Sequence, residues 1–406
     1  MKEKISAHLA IIPEGPLAFD GKNYLYSEGE SYYIDRIAEH FERVTLIAHA
    51  FKPGDLYYTA IAHRPFEAPN IDVIELPLKH GIPGKFIQLF QSAKIIWKNL
   101  NGADCYYIFM PGYAGAMTAL FCRFRKKDYF LYLASDWPEE ASLLNPFKGI
   151  AGKILLPLFH GLVGWLQNSA VRGAKFTLTA GALLRNKYAG YKTPVIETIP
   201  RLNWPAYKLF KRKDTCEHAP VTLLFVGYLL ERKGGAYFIE TIKILHEQGR
   251  AVRGVMIGEG EEEETLKALI EDYGLGDIIE MKGHIPNGAP LIEEYRKADL
   301  FICPTFAGEG FPRVLYEAMS QGLPIVCSDV CGISLKLKPD HNVLFVPPQD
   351  AQAIAEKIML LLDKPSLRQI LIQNSADFMA RLIDGADGGR QIADCFTKYI
   401  GNNHAR

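Results

Sequence analysis

Two glutamates eight residues apart, Glu309 and Glu317, are the side chains of this chain whose type and spacing are best suited to chemistry. The first lies in a glycine turn, and the second lies in a predicted helix that has Pro312 at its first helical position. Backbone N–H groups at a helix start bind anions such as a diphosphate. The segment therefore predicts a loop–helix unit that presents two carboxylates and an anion-binding helix start to one ligand.

Glycine-containing turns follow three predicted strands ahead of this segment. Gly227 ends the first strand and is followed by Lys233 at the next helix start, while Gly258 and His284 follow the second and third strands. Glycine lets the backbone approach a ligand closely, and a lysine at such a turn can reach phosphate oxygens. The alternative for Lys233 is an ordinary surface lysine, and His284 is interpreted as a lining residue of the site.

The first half of the chain has fewer such signals. Residues 13–30 carry Gly15, Gly21 and Gly29 between the first predicted strand and a helix that starts near residue 30. Asp136 follows another predicted strand, where it can bind a hydroxyl group or accept a proton. The alternative for Asp136 is a turn or helix N-cap residue, and both interpretations stay open.

Apolar runs that alternate with amphipathic helical stretches predict the elements that hold these residues. The first series of predicted strands comprises residues 9–12, 44–48, 105–109, 129–133, 176–179 and 195–199. The second series comprises residues 221–226, 254–257, 278–282, 300–303, 324–327 and 343–346. Such alternation is typical of parallel sheets covered by helices. The expected fold class is therefore α/β, with two doubly wound Rossmann-like domains in tandem.

Length and composition agree with two domains. A chain of 406 residues exceeds one typical core, and the proline-containing residues 200–220 predict a linker. The net charge of zero gives no indication of nucleic-acid binding, and no nucleic-acid partner is expected. Seven cysteines without a Cys-x2-Cys pair indicate a reducing compartment and no structural zinc. The absence of a signal-peptide pattern favours the cytoplasm.

Two stretches combine basic and apolar residues, at residues 83–100 and 151–166. Helices of this composition either face a protein core or lie on a membrane surface. We favour the core-facing interpretation. Peripheral contact with the inner face of the membrane is the alternative.

The segment around the two glutamates resembles the E-x7-E signature of the retaining nucleotide-sugar glycosyltransferases of family 4, also called glycosyl transferases group 1, which have the GT-B architecture. The residues that match in order and spacing are Tyr295, Asp299, Pro304, Glu309, Gly310, Phe311, Glu317, Ala318, Met319, Gly322, Leu323, Pro324 and Gly332. The resemblance implies two Rossmann-like domains facing a central cleft. Residues 1–203 would form the acceptor-side domain, residues 204–387 the donor-binding domain, and residues 388–406 a helix that returns to the first domain.

The resemblance also implies roles for single residues. Glu317 would accept hydrogen bonds from the ribose hydroxyls, Glu309 would lie beside the donor sugar, and Lys233 would bind the donor diphosphate. Tyr228 stands where the family usually has an arginine, and Arg232 or Arg313 can supply the missing charge. The expected site comprises the catalytic residues Glu309, Lys233 and Asp136, the donor-binding residues Glu317, Gly227, Tyr228, Arg232, Gly258, His284, Gly310, Phe311, Arg313 and Val314, and Gly15, Gly21 and Gly29 on the acceptor side.

The implied reaction is the transfer of a sugar, with retention of configuration, from a UDP- or GDP-sugar to a hydroxyl of a glycan or lipid-linked glycan. Such a reaction belongs to the synthesis of surface polysaccharides or glycoconjugates. The chain contains no Asp-x-Asp sequence, so a metal-independent mechanism without a cofactor is expected. One alternative is a non-catalytic protein that binds nucleotides or glycans, which Tyr228 favours. Another is a different GT-B enzyme, such as a sugar phosphorylase.

Overall fold

The computed structural model describes residues 4–55, 58–61, 64–79, 81–143, 150–202, 205, 207–307, 311–330, 332–385 and 387–401. The chain divides into two compact units. The first contains residues 1–202 together with 387–406, and the second contains residues 203–307 and 311–386. No helix in the described part of the chain is both long and apolar enough to span a bilayer.

The first unit is built on one mixed sheet. Its strands within the described residues are β1 (Ile5–Ile12), β2 (Leu17–Phe19), β3 (Tyr24–Tyr26), β4 (Phe41–Phe51), β5 (Arg64–Pro65), β6 (Ile71–Leu76), β7 (Cys105–Met110), β8 (Asp128–Leu133), β9 (Thr177–Thr179) and β10 (Val195–Glu197). Their spatial order is β10-β9-β8-β7-β1-β4-β2-β3-β5, and β6 pairs with β4. The pairs β2–β3 and β3–β5 are antiparallel and the other pairs are parallel.

Helices cover both faces of this sheet. They are α1 (Glu28–Ala38), α2 (Tyr58–Ile61), α3 (Gly81–Asn99), α4 (Tyr113–Arg125), α5 (Trp137–Leu143), α6 (Ile150–Gly173) and α7 (Ala182–Tyr188). Tyr33 and Ile37 of α1 join one buried core, and Ile96 of α3, Ala119 of α4 and Val171 of α6 join the other. The strands thus read as near-continuous apolar runs because both of their faces are buried.

The second unit is a smaller sheet in which every strand pair is parallel. Its strands are β11 (Val221–Val226), β12 (Val252–Ile257), β13 (Ile279–Met281), β14 (Leu300–Cys303), β15 (Ile325–Ser328) and β16 (Leu344–Val346), in the spatial order β13-β12-β11-β14-β15-β16. Its helices are α8 (Gly235–Glu247), α9 (Glu263–Asp272), α10 (Ala289–Lys297), α11 (Arg313–Ser320), α12 (Ala351–Asp363) and α13 (Pro365–Asp384). The expected α/β fold with two Rossmann-like sheets is confirmed.

The last helix, α14 (Gly388–Tyr399), packs in the first unit. Asp387 at its start forms an ion pair of 2.8 Å with Arg36 in the last turn of α1. Phe396 meets Phe41 edge-to-face, with ring centroids 5.1 Å apart. The α14 helix therefore completes the core that α1 covers on one face of the first sheet.

Residues 13–30 differ from the glycine loop that the sequence suggests. They contain the hairpin of β2 and β3, whose turn includes Gly21 at φ +100°. Gly29 lies inside α1, so only Gly15 directly follows β1. The three glycines therefore belong to three different elements and do not form one loop.

Candidate functional site

The strand order of the second sheet reverses between β11 and β14. Ligands of open parallel sheets bind outside the carboxyl ends of the strands at such a switch point. Gly227 follows β11 and leads to a short 3₁₀ helix, Glu231–Lys233, while Pro304 follows β14. The backbone N–H of Phe306 donates to the carbonyl of Arg232 over 2.9 Å. This bond ties the two switch-point loops together and holds the backbone of Arg232 and Lys233 at the expected ligand position.

The turns after β11, β12 and β13 also lie against one another. The N–H of Gly227 donates to Ile257 over 3.0 Å, and the N–H of Gly258 donates to Gly283 over 2.9 Å. Gly258 has φ +147°, and a Cβ at this position would lie 1.8 Å from the carbonyl oxygen of Gly227. Only glycine fits such a close approach of two backbones. The stack of turns forms the floor of the site near His284, which follows Gly283.

We expect Gly258→Ala to lower the free energy of unfolding by about 2–4 kcal/mol, because the new Cβ must displace the turn after β11 and also adopt a strained φ. Gly276→Ala in the same unit is the matched control, since a Cβ there meets nothing within 4 Å. Chemical denaturation of both variants measures the difference. Equal stability of the two variants would contradict the stacked arrangement of the turns.

Glu317 lies on α11 and is only 5% exposed. The hydroxyl of Tyr295 donates to its Oε2 atom over 2.8 Å, and Tyr207 hydrogen-bonds the same carboxylate. Burial raises the pKa of Glu317, while the Tyr295 hydrogen bond, the Arg313 charge and the Tyr207 hydrogen bond act in the opposite direction. A carboxylate offers about four lone-pair positions, so it can accept further hydroxyl groups from a ligand.

This raised pKa predicts a pH-dependent effect of Glu317→Gln. Below the unfolded-state pKa of about 4.3, Glu317 is protonated in both the folded and the unfolded protein. As the pH rises above this value and through the higher folded-state pKa, the folded protein loses stability, because it must either keep the proton or bury the charge. We therefore expect the melting temperature of the variant, relative to that of the wild type, to increase as the pH rises from acidic to neutral. Thermal unfolding across this range measures the difference. A difference that is constant or shrinks with rising pH would contradict it.

The start of α11 differs slightly from the expectation. Pro312 has ψ 116°, so it caps the helix from outside and is not its first helical residue. The helix begins at Arg313, whose N–H and that of Val314 belong to the first turn. Glu309 and Gly310 lie outside the described residues.

The expected residue Phe311 lies at the start of α11 together with Tyr316 and Lys336, which the sequence did not indicate. Phe311 is buried, and its ring lies 4.7 Å from that of Tyr316. The ammonium group of Lys336 lies 5.3 Å from the Phe311 centroid and 5.4 Å from that of Tyr316. Lys336 thus adds a positive charge near the helix start. Tyr228, which follows Gly227, is 56% exposed.

In the first unit, Asp136 directly precedes α5. Its backbone carbonyl accepts the N–H of Glu140 over 2.9 Å, as expected at a helix start. Its carboxylate forms an ion pair with Lys187 and accepts a 3.4 Å hydrogen bond from Gln167. The arrangement fits a residue that anchors the start of α5, and it leaves other lone pairs of the carboxylate for a hydroxyl.

A buried charge cluster at the switch point of the first sheet was missed by the sequence. The order of that sheet reverses between β1 and β7. Arg201, only 6% exposed, donates to Glu30 over 2.7 Å and to Glu14, just after β1, over 2.9 Å. Its guanidinium lies 4.1 Å from the ring centroid of Tyr132. Burial lowers the pKa of Arg201, but its interactions with Glu30, Tyr132 and Glu14 outweigh burial and raise the pKa well above its usual value.

Within the described residues, no group of three or more His, Cys, Asp and Glu side chains is arranged to hold a metal ion.

Comparison with known proteins finds a family whose sequence model matches the second unit. Residues 208–378 match the sequence model described as "Glycosyl transferases group 1". Over 146 residues the chain is 36% identical to a putative colanic acid biosynthesis glycosyltransferase, WcaL of Escherichia coli, covering 34% of this chain and 35% of that protein. It is 27% identical over 249 residues to the alpha-D-kanosaminyltransferase of Streptomyces kanamyceticus, covering 57% of this chain and 62% of that protein. The match thus spans only about a third of WcaL.

Solved structures share the whole fold. A sucrose-phosphate synthase from Thermosynechococcus elongatus superposes with a TM-score of 0.72 at 17% identity, covering 96% of this chain and 98% of the other. Anabaena HepE in complex with UDP-glucose superposes with a TM-score of 0.69 at 17% identity, covering 97% and 100%. At this identity the likeness concerns the fold alone. The resemblance read from the sequence is confirmed at the level of the group 1 glycosyltransferases.

Proposed function

Because residues 208–378 carry the sequence of the group 1 glycosyltransferases, we propose that the chain transfers a sugar from a nucleotide-diphosphate sugar to a hydroxyl of a glycan or lipid-linked glycan. The observation that carries this proposal is the switch point of the second sheet. There the carbonyl of Arg232, the residue before Lys233, accepts the N–H of Phe306 in the loop after β14, and the same unit holds the buried carboxylate of Glu317. A cation for a diphosphate and an acceptor for ribose hydroxyls are the two groups that a nucleotide sugar requires.

The donor is proposed to be a UDP- or GDP-sugar. The structural likeness to HepE, which was solved with UDP-glucose, supports this class of ligand. Glu317 would accept the ribose hydroxyls, and the backbone turns at Gly227, Gly258 and His284 would line the nucleoside. Lys233, with Arg232 and the N–H groups of α11, would bind the diphosphate.

The chemistry proposed is retaining and independent of metal. Lys233 and the start of α11 stabilise the charge that develops on the leaving diphosphate, which is the main electrostatic demand of the reaction. Glu309 would lie beside the anomeric carbon, as the family resemblance implies. The leaving phosphate oxygen would take the acceptor proton on the same face of the sugar. Asp136 is kept as a second proton acceptor, with its anchoring of α5 as the alternative role.

The acceptor is proposed to be a growing surface polysaccharide or another glycoconjugate, bound by the first unit near Gly15. Relatives whose names refer to polysaccharide synthesis support this choice, among them WcaL and the amylovoran biosynthesis glycosyltransferase AmsK of Erwinia amylovora. We place the reaction in the cytoplasm, with peripheral contact at the inner face of the membrane as the alternative. No cofactor beyond the nucleotide sugar is proposed.

A non-catalytic nucleotide-binding protein is the second candidate function. Tyr228 favours it, because the family usually has an arginine at this position and the tyrosine adds no charge for the leaving diphosphate. Under this alternative the chain binds a nucleotide sugar but releases no nucleoside diphosphate when an acceptor is added.

Thermal unfolding in the presence of a panel of nucleotide sugars tests the donor proposal. A ligand that binds the folded state stabilises it by mass action, by about 2.7 kcal/mol at a concentration of 100 times its Kd. We expect one UDP- or GDP-sugar to raise the melting temperature of the wild type and to have a much smaller effect on Lys233→Ala. If no member of the panel shifts the melting temperature, the donor proposal is wrong.

A further inference from the structure

Three neighbouring helices of the first unit contain no acidic residue. The helices α3, α4 and α6 have 19, 13 and 24 residues, and none of these is Asp or Glu, although Asp and Glu account for 46 of the 406 residues of the chain. The same helices carry seven Lys and Arg residues, namely Lys85, Lys94, Lys98, Arg123, Arg125, Lys153 and Arg172. The surface that these helices share is therefore positively charged, although the chain as a whole has no net charge. We call it the α3–α4–α6 face.

Large apolar side chains of these helices point to solvent. Phe90 of α3 is 74% exposed, Phe124 of α4 is 76% exposed and Trp165 of α6 is 57% exposed. In α6, Leu158 and Leu162 are also exposed and lie on the same side as Trp165, at the spacing of successive helical turns. Exposed apolar surface on this scale marks an interaction site or a membrane contact.

Side-chain contacts join the three helices into one surface. The guanidinium of Arg125 lies 4.2 Å from the ring centroid of Trp97, which links α4 to α3. Arg123 donates to the carbonyl of Ser169 over 3.2 Å, which links α4 to α6. The two arginines of α4 thus contact both neighbouring helices.

A cavity with both polar and apolar lining opens between α4 and α6 on this face. It has a volume of about 580 Å³ and is lined by Arg123, His160, Trp165, Asn168, Ser169 and Arg172. Two arginines and several hydrogen-bond donors surround it, and none of the lining residues that the structure describes is acidic. Such a lining suits a phosphate group, because guanidinium groups bind phosphate oxygens with paired hydrogen bonds.

We propose that the α3–α4–α6 face docks on an anionic phospholipid bilayer, with the cavity between α4 and α6 receiving a lipid phosphate headgroup. The exposed Phe90 and Phe124 insert as apolar side chains at the boundary of headgroups and acyl chains, and the amphipathic ring of Trp165 lies at the level of the headgroups. The surrounding lysines and arginines are attracted to the negative surface of the membrane.

The charge of the face distinguishes a bilayer from a protein partner. Protein–protein interfaces are depleted in lysine, whereas this face carries Lys85, Lys94 and Lys98 among its exposed apolar residues. Membrane-surface helices combine a basic and an apolar character in this way. The proposal does not depend on the sugar-transfer reaction, and its test requires no nucleotide sugar.

Co-sedimentation of the purified full chain with vesicles tests the proposal, with phosphatidylcholine vesicles compared to vesicles that also contain phosphatidylglycerol. We expect binding to the anionic vesicles that weakens as salt is raised. The variant Phe90→Ser/Phe124→Ser/Trp165→Ser should lower the partition coefficient about tenfold or more, because it removes the inserted side chains. Ile370→Ser in the second unit replaces an apolar residue that is 51% exposed, and this variant should bind like the wild type.

The variant Arg172→Gln tests whether the cavity between α4 and α6 binds a lipid phosphate. It should reduce binding to the anionic vesicles while leaving the melting temperature and the weak binding to phosphatidylcholine unchanged. Circular dichroism and thermal unfolding of every variant verify that it is folded. The proposal fails if the wild type does not prefer anionic vesicles, or if the triple variant binds as well as the wild type. It also fails if the wild type is an oligomer that the triple variant converts to a monomer, since the face would then be a contact between copies.

Discussion

Replacing Lys233 with alanine is expected to lower the rate of sugar transfer by a factor of about 10²–10³, which is the usual loss when one group that stabilises developing charge is removed. The leaving diphosphate gains negative charge as the sugar bond breaks. The backbone of Lys233 is held at the switch point between β11 and β14, where Gly234 packs so tightly that a Cβ would lie 2.2 Å from the Pro304 carbonyl oxygen. The loop that carries Lys233 therefore has little freedom to move. A fixed position suits a group that must stabilise the negative charge developing on the diphosphate.

The turnover number at saturating donor and acceptor measures this effect. Lys211→Ala removes an exposed lysine of the same unit and is the matched control, with an expected rate like that of the wild type. If Lys233→Ala keeps the rate and the donor affinity of this control, Lys233 has no role in binding the diphosphate. In that case Arg232 and Lys336 become the candidates for this role.

Replacing Arg201 with methionine is expected to lower the free energy of unfolding of the first unit by about 3–5 kcal/mol, because it leaves a buried carboxylate without its counter-charge. Glu30 is almost as buried as Arg201, and the variant also removes the guanidinium from the ring of Tyr132. Most domains have only about 5–15 kcal/mol of stability, so a loss of this size takes a large share of the total.

Denaturant titration measures this loss in the free energy of unfolding, and two further variants identify its cause. Arg43→Met breaks the pair with Asp72, in which both side chains are more than half exposed, and should cost less than about 1 kcal/mol. The double variant Arg201→Met/Glu30→Gln should recover a substantial part of the stability, since it removes both buried charges. An Arg201→Met variant as stable as Arg43→Met would show that the buried cluster does not hold the first unit together.

The sequence predicted the strands of the two cores well. The predicted bounds of β11 and β14 equal the observed Val221–Val226 and Leu300–Cys303, because fully buried parallel strands are continuous apolar runs between turn signals. The strand β6 (Ile71–Leu76) was missed because two of its six residues are acidic and most of its side chains are only partly buried or exposed. The strands β2, β3 and β5 have two or three residues each and offer no period that a pattern could detect.

Contacts between distant segments were the part of the site that could not be predicted. Gly258 was identified as a turn residue, but its approach to the Gly227 carbonyl depends on the pairing of β11 with β12. Arg201 lies in a proline-containing stretch without periodicity, and its carboxylate partners are more than 170 residues away along the chain. No local pattern reports such a pair.

The helices α3 and α6 show a related limit of periodicity. The sequence favoured core-facing helices, and each of them does bury one side, with Ile96 in α3 and Val171 in α6. Their opposite sides are also apolar, as Phe90 and Trp165 show. A helix with apolar residues on both sides carries no signal for which of them faces the core.

Calorimetric titration of the wild type, Lys233→Ala and Glu317→Gln with a nucleoside diphosphate and with the corresponding nucleoside tests the central claim most directly. We expect both variants to bind the diphosphate about tenfold or more weakly, since each loses a hydrogen bond that involves a charged group. With the nucleoside, which retains the ribose hydroxyls but has no phosphate, only Glu317→Gln should bind more weakly than the wild type. Equal affinities of all three proteins for the diphosphate would contradict the assignment of the switch point of the second unit as the nucleotide-sugar site.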